Sequence, residues 1–151
     1  MKIRFLTPNP EFKRIVLNTL NAPTSWGITV VESEPADVIL GINTKREFSK
    51  RIKGRRVYFS ATIFNPREPP LILFDPVNFI RGVPASGLSI ERYQQYVINH
   101  EFGHAIGLLH LRCKSGQRCP VMYQMTKGVP KGSFSNSVVT KQDLACYSRK
   151  R

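Results

Sequence analysis

The sequence has few of the features that mark membrane-spanning or disulfide-rich proteins. Its 151 residues include only three cysteines, which allow at most one internal disulfide. No apolar run approaches the roughly 18 residues that a membrane span needs. Hydrophobic residues make up 41% of the chain and charged residues 22%, which is typical of a globular protein. The sequence therefore argues against a membrane protein, a fibre and a small disulfide scaffold.

Acidic residues are scarce relative to basic ones. Ten Asp and Glu stand against 23 Lys and Arg, which gives a formal net charge of +13. Such a charge favours acidic partners, namely nucleic acid, acidic protein or an anionic surface. The basic residues are densest in residues 45–56, a run that predicts either weak contact with nucleic acid or another polyanion, or a solvated loop.

The N-terminal sequence MKIRFLTPNP reaches Pro8 and Pro10 after a short apolar stretch, which is not the pattern of a signal peptide. The sequence therefore favours a cytoplasmic or particle-packaged protein over a secreted one, although a trimmed secreted domain would have the same pattern.

Hydrophobic periodicity and capping residues predict one α+β domain over residues 1–151. Helices are expected to begin after Asn9, Ser89 and Thr140, each of which is a good N-cap. Residues 65–70 contain three prolines and are expected to be a connection, because proline cannot donate to a ladder. The predicted strands are residues 2–6, 28–33, 36–43, 56–64 and 71–79.

The candidate metal-binding and catalytic residues lie in residues 100–110, His-Glu-Phe-Gly-His-Ala-Ile-Gly-Leu-Leu-His. His100 and His104 are four apart on a predicted helix, so both lie on one face within reach of one metal ion. Gly107 can adopt the left-handed conformation that ends a helix and turns His110 back towards that metal. Glu101 is rotated about 100° from His100 and can reach a water on the metal without being a ligand.

Three neutral imidazoles and one water form an open tetrahedral site, which is the arrangement of catalytic zinc. Zinc lowers the pKa of the water, and Glu101 can take its proton as the water attacks a carbonyl. The competing interpretation is that these are ordinary core or surface histidines. All three histidines of the chain fall in this one motif, which favours metal binding.

These residues resemble a known family. The segment from His100 to His110 matches the HExxHxxGxxH pattern of the metzincin zinc peptidases, and HEFGHAIGL is similar to the same stretch in matrixins. Residues 119–124, CPVMYQ, resemble the metzincin Met-turn, with Met122 followed by Tyr123. Residues 97–128 are also similar to small actinobacterial metzincin-like domains. Leu111 and Gln124 depart from the residues that mark matrixins, astacins and serralysins, so the subfamily and the substrate stay open.

The resemblance implies a zincin-like domain with a twisted, five-stranded, mostly parallel sheet, an active-site helix and a short C-terminal helix. Its subdomains would be residues 1–107 and 108–151, approximately. The implied function is zinc-dependent endopeptidase activity on peptides or proteins. The resemblance makes Zn²⁺ the cofactor and Glu101 the general base. It makes His100, His104 and His110 the zinc ligands and Met122 the Met-turn residue.

The resemblance also implies where substrate binds. The fourth strand would be an edge strand that pairs with an extended peptide, which makes Val57, Phe59 and Ala61 substrate-binding candidates. Tyr123 would belong to the wall of the pocket beyond the scissile bond. Residues 45–56 lead directly into this strand, so a preference for acidic substrates is a further hypothesis.

Two alternatives remain open. In one, the chain is a catalytically silent zinc-binding module for acidic partners, although the presence of Glu101 speaks against a purely structural site. In the other, a basic nucleic-acid-binding protein uses zinc only to stabilise its fold. The chain lacks a CxxC pair, a helix-turn-helix pattern and aromatic residues interleaved with the basic ones, which weakens this second alternative.

The cysteines leave one structural question open. Cys113 and Cys119 flank a short Gly-containing loop, which could close as a disulfide ring or stay as two thiols. Cys146 is expected to pack in the last helix as a small apolar residue.

Overall fold

A computed structural model describes residues 1–42 and 60–151 of the chain. In these ranges the chain forms five strands, four α-helices and two short 3₁₀ helices. The strands are β1 Lys2–Phe5, β2 Val31–Glu32, β3 Val38–Ile42, β4 Ala61–Asn65 and β5 Glu68–Phe74. The α-helices are α1 Pro10–Leu20, α2 Pro76–Arg81, α3 Ile90–Ala105 and α4 Lys141–Lys150. The 3₁₀ helices are Pro84–Ser86 and Met125–Lys127.

The strands form one sheet in the order β2-β1-β3-β5-β4. All neighbouring pairs are parallel except β4 and β5, which are antiparallel with Thr62 opposite Ile72. The predicted α+β class and the five-stranded, mostly parallel sheet are therefore confirmed. β4 lies at one edge of the sheet, and residues 56–59 of its predicted range lie outside the described residues.

The boundary between β5 and α2 differs from the prediction. The strand predicted to end at residue 79 ends at Phe74, because Asp75 caps α2 and Pro76 occupies its first turn. One carboxylate oxygen of Asp75 accepts hydrogen bonds from the N–H groups of Val77 and Asn78 at 2.9 and 3.1 Å. Proline at this position has no N–H to lose, so the sequence could have indicated a helix start here.

The connection predicted over residues 65–70 is also wrong in part. β5 begins at Glu68 and includes Pro69 and Pro70. Neither proline occupies a paired position in the described ladders, since pairing with β3 begins at Leu71 and the β4 register is irregular beside them. The strand therefore holds both prolines at a site where no N–H donor is needed. The strand predicted over residues 28–33 is shorter than expected and covers Val31–Glu32.

The three predicted helix starts are confirmed. Asn9 accepts a hydrogen bond from the N–H of Phe12 at 3.0 Å, and Ser89 accepts one from the N–H of Arg92 at 3.3 Å. Thr140 forms a capping box with Asp143. No helix in the described ranges is long and apolar enough to cross a membrane.

The core lies between the sheet and helices α1 and α3. Edge-to-face ring contacts join Phe12 of α1 to Phe74 and Phe79, each with centroids 5.6 Å apart. The same buried cluster includes Phe102 of α3 and Met122 of the following loop. The helix that carries the histidines is therefore fixed on one side by the sheet and on the other by the segment that follows it.

A candidate metal centre of three histidines

The three histidines converge on one point. The Nε2 atom of His104 lies 3.2 Å from that of His100 and 3.1 Å from that of His110. One ligand atom from each of the three residues falls within 4.8 Å of the others. The structure therefore brings together the three residues that the sequence motif predicts as metal ligands. They differ in burial, from buried His100 to exposed His110.

The return of His110 depends on the end of α3. Gly107 has a φ of +100°, which is the left-handed conformation predicted for it. Its N–H donates to the carbonyl of His104, and the N–H of Leu108 donates to the carbonyl of Gly103, both at 2.9 Å. These two bonds form a Schellman motif, which closes the helix and reverses the chain. From α4, the Lys150 ammonium donates to the carbonyl of Gly107 at 2.5 Å.

Two of the histidines are held in one tautomer. The Nδ1 atom of His100 lies 2.7 Å from the carbonyl oxygen of Val121, and that of His104 lies 2.7 Å from the carbonyl oxygen of Leu108. Because a carbonyl oxygen only accepts, each Nδ1 carries the proton and each Nε2 presents a lone pair to the centre. Lone pairs about 3 Å apart repel unless a cation lies between them, so these residues fit a metal ion bound through nitrogen.

The electrostatic environment keeps the histidines neutral, as metal ligands must be. Burial lowers the pKa of His100 to about 3, with a smaller lowering from neighbouring His104. Burial also lowers the pKa of His104. His110 is only partly withdrawn from water, and this partial burial lowers its pKa first, followed by the neighbouring His104 and Lys127.

Glu101 directly follows His100 on α3 and is buried, 5% exposed. Burial raises the pKa of its carboxyl group from 4.5 to about 7, and a hydrogen bond from Thr62 partly offsets this rise. The hydroxyl of Thr62, on β4, lies 2.8 Å from Oε2 of Glu101 and 2.9 Å from the Glu101 backbone carbonyl oxygen. A carboxyl group with this pKa can both accept and release a proton near neutral pH.

Met122 packs directly beneath the histidine helix and is fully buried. A Cβ atom placed on Gly103 would overlap its sulfur and would lie 2.8 Å from Cζ2 of Trp26. The glycine between the first two histidines therefore leaves room for the methionine and the tryptophan to approach the helix backbone.

Asp143 supports the centre from α4, a role that the sequence did not indicate beyond its part in the capping box. Its carboxylate is fully buried and accepts hydrogen bonds from the N–H groups of Val121 at 2.9 Å and Met122 at 3.1 Å. The carbonyl of the same Val121 accepts the Nδ1 proton of His100. Asp143 thus fixes the peptide segment that orients one of the three histidines.

The sequence also did not indicate two further polar residues of α3, Tyr96 and Asn99. The Tyr96 hydroxyl donates to the carbonyl of Tyr123 at 2.9 Å and accepts from the N–H of Met125 at 2.8 Å. Asn99 accepts from the Ser25 hydroxyl at 2.7 Å and donates to the carbonyl of Ser137 at 3.2 Å. Tyr96 is four residues before His100 and so shares its helix face, which was the available signal.

The family model described as a protein of unknown function, DUF3152, matches residues 4–148. The chain belongs to this family. The matched range includes the three histidines, Glu101, Met122 and Asp143. A search of the curated proteins finds no match.

The predicted substrate-binding residues of this DUF3152 chain are only partly described. Ala61 lies on edge strand β4, next to the residue that contacts Glu101, and Tyr123 follows Met122; both are half-buried. Val57, Phe59 and the basic residues 45–56 lie outside the described residues.

The DUF3152 chain joins Cys113 and Cys119 in a disulfide, which is the closed form of the two alternatives. The ring lies between His110 and Met122, and Cys119 is fully buried. Cys146 is a half-buried free thiol in α4, packed against the core cluster.

Proposed function

We propose that this DUF3152 domain is a zinc-dependent endopeptidase with a zincin-like, metzincin-type fold. The observation that carries the proposal is the convergence of three histidine Nε2 atoms, together with a buried glutamate that directly follows the first histidine on the same helix and whose pKa lies near neutrality. A structural zinc site has no use for a proton acceptor at that position, whereas hydrolysis of an amide needs one.

His100, His104 and His110 would hold the zinc ion through Nε2, since two of them donate Nδ1–H to backbone carbonyls. When bound, zinc supplies Lewis-acid chemistry, polarising a carbonyl group and making a water molecule easier to deprotonate. His110 is exposed, so the centre is open to solvent and to substrate on that side.

Glu101 would move the proton that hydrolysis requires. Its carboxylate takes a proton from the water as the water oxygen attacks the scissile carbonyl carbon. It then gives this proton to the departing amide nitrogen as the C–N bond breaks. Burial raises the pKa of Glu101 to about 7, which suits both steps at neutral pH.

The edge position of β4 supports an extended peptide or protein as substrate. β4 pairs on one side with β5, and among the described residues no strand pairs with its other side. A peptide added there would use backbone hydrogen bonds and would pass the Glu101 side chain, which β4 contacts through Thr62. The net charge of +13 supports a preference for acidic sequences.

The fold and the loop after His110 support the metzincin-type assignment. A mostly parallel sheet with an antiparallel edge strand packs against the histidine helix. Met122 lies under that helix, and α4 closes the C-terminal part.

Cleavage of an unbiased peptide library by the zinc-loaded protein tests the proposal, with E101A run beside it. We expect internal cuts by the wild type that disappear in E101A, while both proteins bind about one zinc per chain. H104A is the matched control for metal, and it should lose zinc and cleavage together. Zinc binding without any cleavage would contradict the proposal.

That last outcome would favour the alternative, a catalytically silent zinc-binding module for acidic partners or nucleic acid. The observation in favour of this alternative is the charge of +13. Binding of duplex DNA that weakens steeply with salt and persists after zinc removal would instead favour the other alternative, a basic nucleic-acid-binding protein in which zinc only stabilises the fold.

A further inference from the structure

Thr62 contacts the buried carboxyl group of Glu101 from the neighbouring strand. Its hydroxyl lies 2.8 Å from Oε2, and the two residues are 39 positions apart in sequence. Among the described residues, no other side chain or N–H group is hydrogen-bonded to this carboxyl group. Among the described residues, Thr62 is therefore the main one that restrains the orientation of the Glu101 side chain.

The geometry of β4 explains why Thr62 makes this contact. Thr62 is paired with Ile72 in the antiparallel ladder, so its side chain alternates with those of Ala61 and Ile63. Thr62 thus faces α3, where its hydroxyl also lies 2.9 Å from the Glu101 backbone carbonyl. A hydroxyl has one hydrogen to donate, and an ionised carboxylate is the stronger acceptor of the two.

We propose that Thr62 is a positioning residue for Glu101: its hydroxyl holds Oε2 so that Oε1 is left for the reacting water. This inference rests on the proposed function. Within the described residues, Oε1 accepts no hydrogen bond. This fits one carboxylate oxygen being held by Thr62 while the other accepts the proton. Because Thr62 belongs to the edge strand, the same strand that would bind an extended peptide also sets the direction of the proton acceptor.

Two substitutions separate the hydroxyl from the shape of the side chain. T62V keeps the volume and the β-branch but removes the hydroxyl, whereas T62S keeps the hydroxyl and removes a methyl group. With a peptide cleaved by the wild type, we expect T62V to lower kcat by about ten-fold or more and to leave KM within about two-fold. T62S should stay within about three-fold of the wild type in kcat, and zinc content should be equal in all three.

A second measurement does not depend on activity. Melting temperatures of wild type, T62V, E101A and the double variant give the coupling between the two side chains. We expect T62V to lower the melting temperature of the zinc-loaded wild type by about 3 °C, and that of E101A by less than half as much.

The outcomes distinguish this inference from the proposed function. An unchanged kcat in T62V, or an equal loss in T62S, would overturn the positioning role while the peptidase proposal stands. If no peptide is cleaved, the peptidase proposal fails, and additive melting temperatures would then overturn the contact between Thr62 and Glu101 as well.

Discussion

The carboxylate of Asp143 accepts a hydrogen bond from the backbone N–H of Val121 at 2.9 Å, and both groups are buried. The carbonyl of Val121 in turn accepts the Nδ1 proton of His100 at 2.7 Å. A single residue, Val121, therefore connects a carboxylate of the last described helix to a candidate metal ligand. Outer partners of this kind set the orientation and tautomer of the ligand.

Replacing Asp143 should weaken both the fold and the metal site. In D143N an amide N–H₂ replaces one acceptor oxygen, so a buried donor faces another donor. We expect a loss of about 2–4 kcal/mol in the free energy of unfolding of the metal-free protein. We also expect zinc affinity to fall by about ten-fold. Urea unfolding and a chelator competition assay measure the two effects.

Asp37 offers the matched control, because it is exposed and accepts one backbone hydrogen bond from Lys2. D37N should change the free energy of unfolding by less than about 1 kcal/mol and leave zinc affinity unaltered. Equal effects of D37N and D143N would refute the role assigned to the buried carboxylate.

Adding a methyl group at Gly103 should destabilise the protein although alanine is the better helix former. The new Cβ would overlap the Met122 sulfur and crowd Trp26. We expect G103A to lower the free energy of unfolding by about 1–3 kcal/mol net, because the steric penalty exceeds the roughly 1 kcal/mol gained in helix propensity. M122A removes the overlap with the sulfur and leaves a space into which the Trp26 ring can move, so the same change should cost less than half as much in that background. A G103A penalty that is equal in both backgrounds would rule out this steric explanation.

The raised pKa of Glu101 predicts a specific dependence of stability on pH. Burial raises this pKa from 4.5 to about 7, so the folded chain keeps a proton that the unfolded chain has released. The stability contributed by Glu101 is therefore complete below pH 4.5 and is lost as the pH rises through about 7. E101Q does not titrate and lacks this loss.

Urea unfolding of the two metal-free proteins at pH 4 and pH 8 measures the effect. We expect E101Q to exceed the wild type by about 2–3 kcal/mol more at pH 8 than at pH 4. Burial lowers the pKa of His100 to about 3, which acts in the opposite direction but is common to both proteins and cancels. A difference that does not change with pH would argue against a buried, proton-holding Glu101.

The disulfide ring gives a count of free thiols. Cys113 and Cys119 are joined, and Cys146 is free. Protein purified in air and denatured without reductant should therefore titrate one thiol per chain, and three after reduction. A C146S variant should show none before reduction, and three thiols in the unreduced wild type would mean that the ring is open.

Local patterns were sufficient to predict much of the fold. Asn9, Ser89 and Thr140 each cap a helix through an N–H group three residues ahead, so the signal and its partner lie together in the sequence. The spacing from His100 to His110 likewise predicts how the histidines come together, because the turn at Gly107 lies within the same short segment.

Residues that act across the fold could not be predicted in this way. Thr62 reaches Glu101 over 39 positions, and Asp143 reaches Val121 over 22. Such pairs depend on which strand and helix become neighbours, and composition or periodicity carries no record of that choice. The boundary at Phe74 was missed for a different reason, since the apolar pattern continues past Asp75 into the next helix.

The hydrogen bonds of Asn99 affect when the three histidines come together as the chain folds. Its side chain joins Ser25, 74 positions earlier, to Ser137, 38 positions later, and it directly precedes His100. Closing two such large loops is slow compared with forming a helix, so α3 can form long before its neighbours arrive. Metal affinity would therefore appear during refolding only when both distant segments have packed against α3. The time course of metal binding would then measure the rate of the last stage of folding.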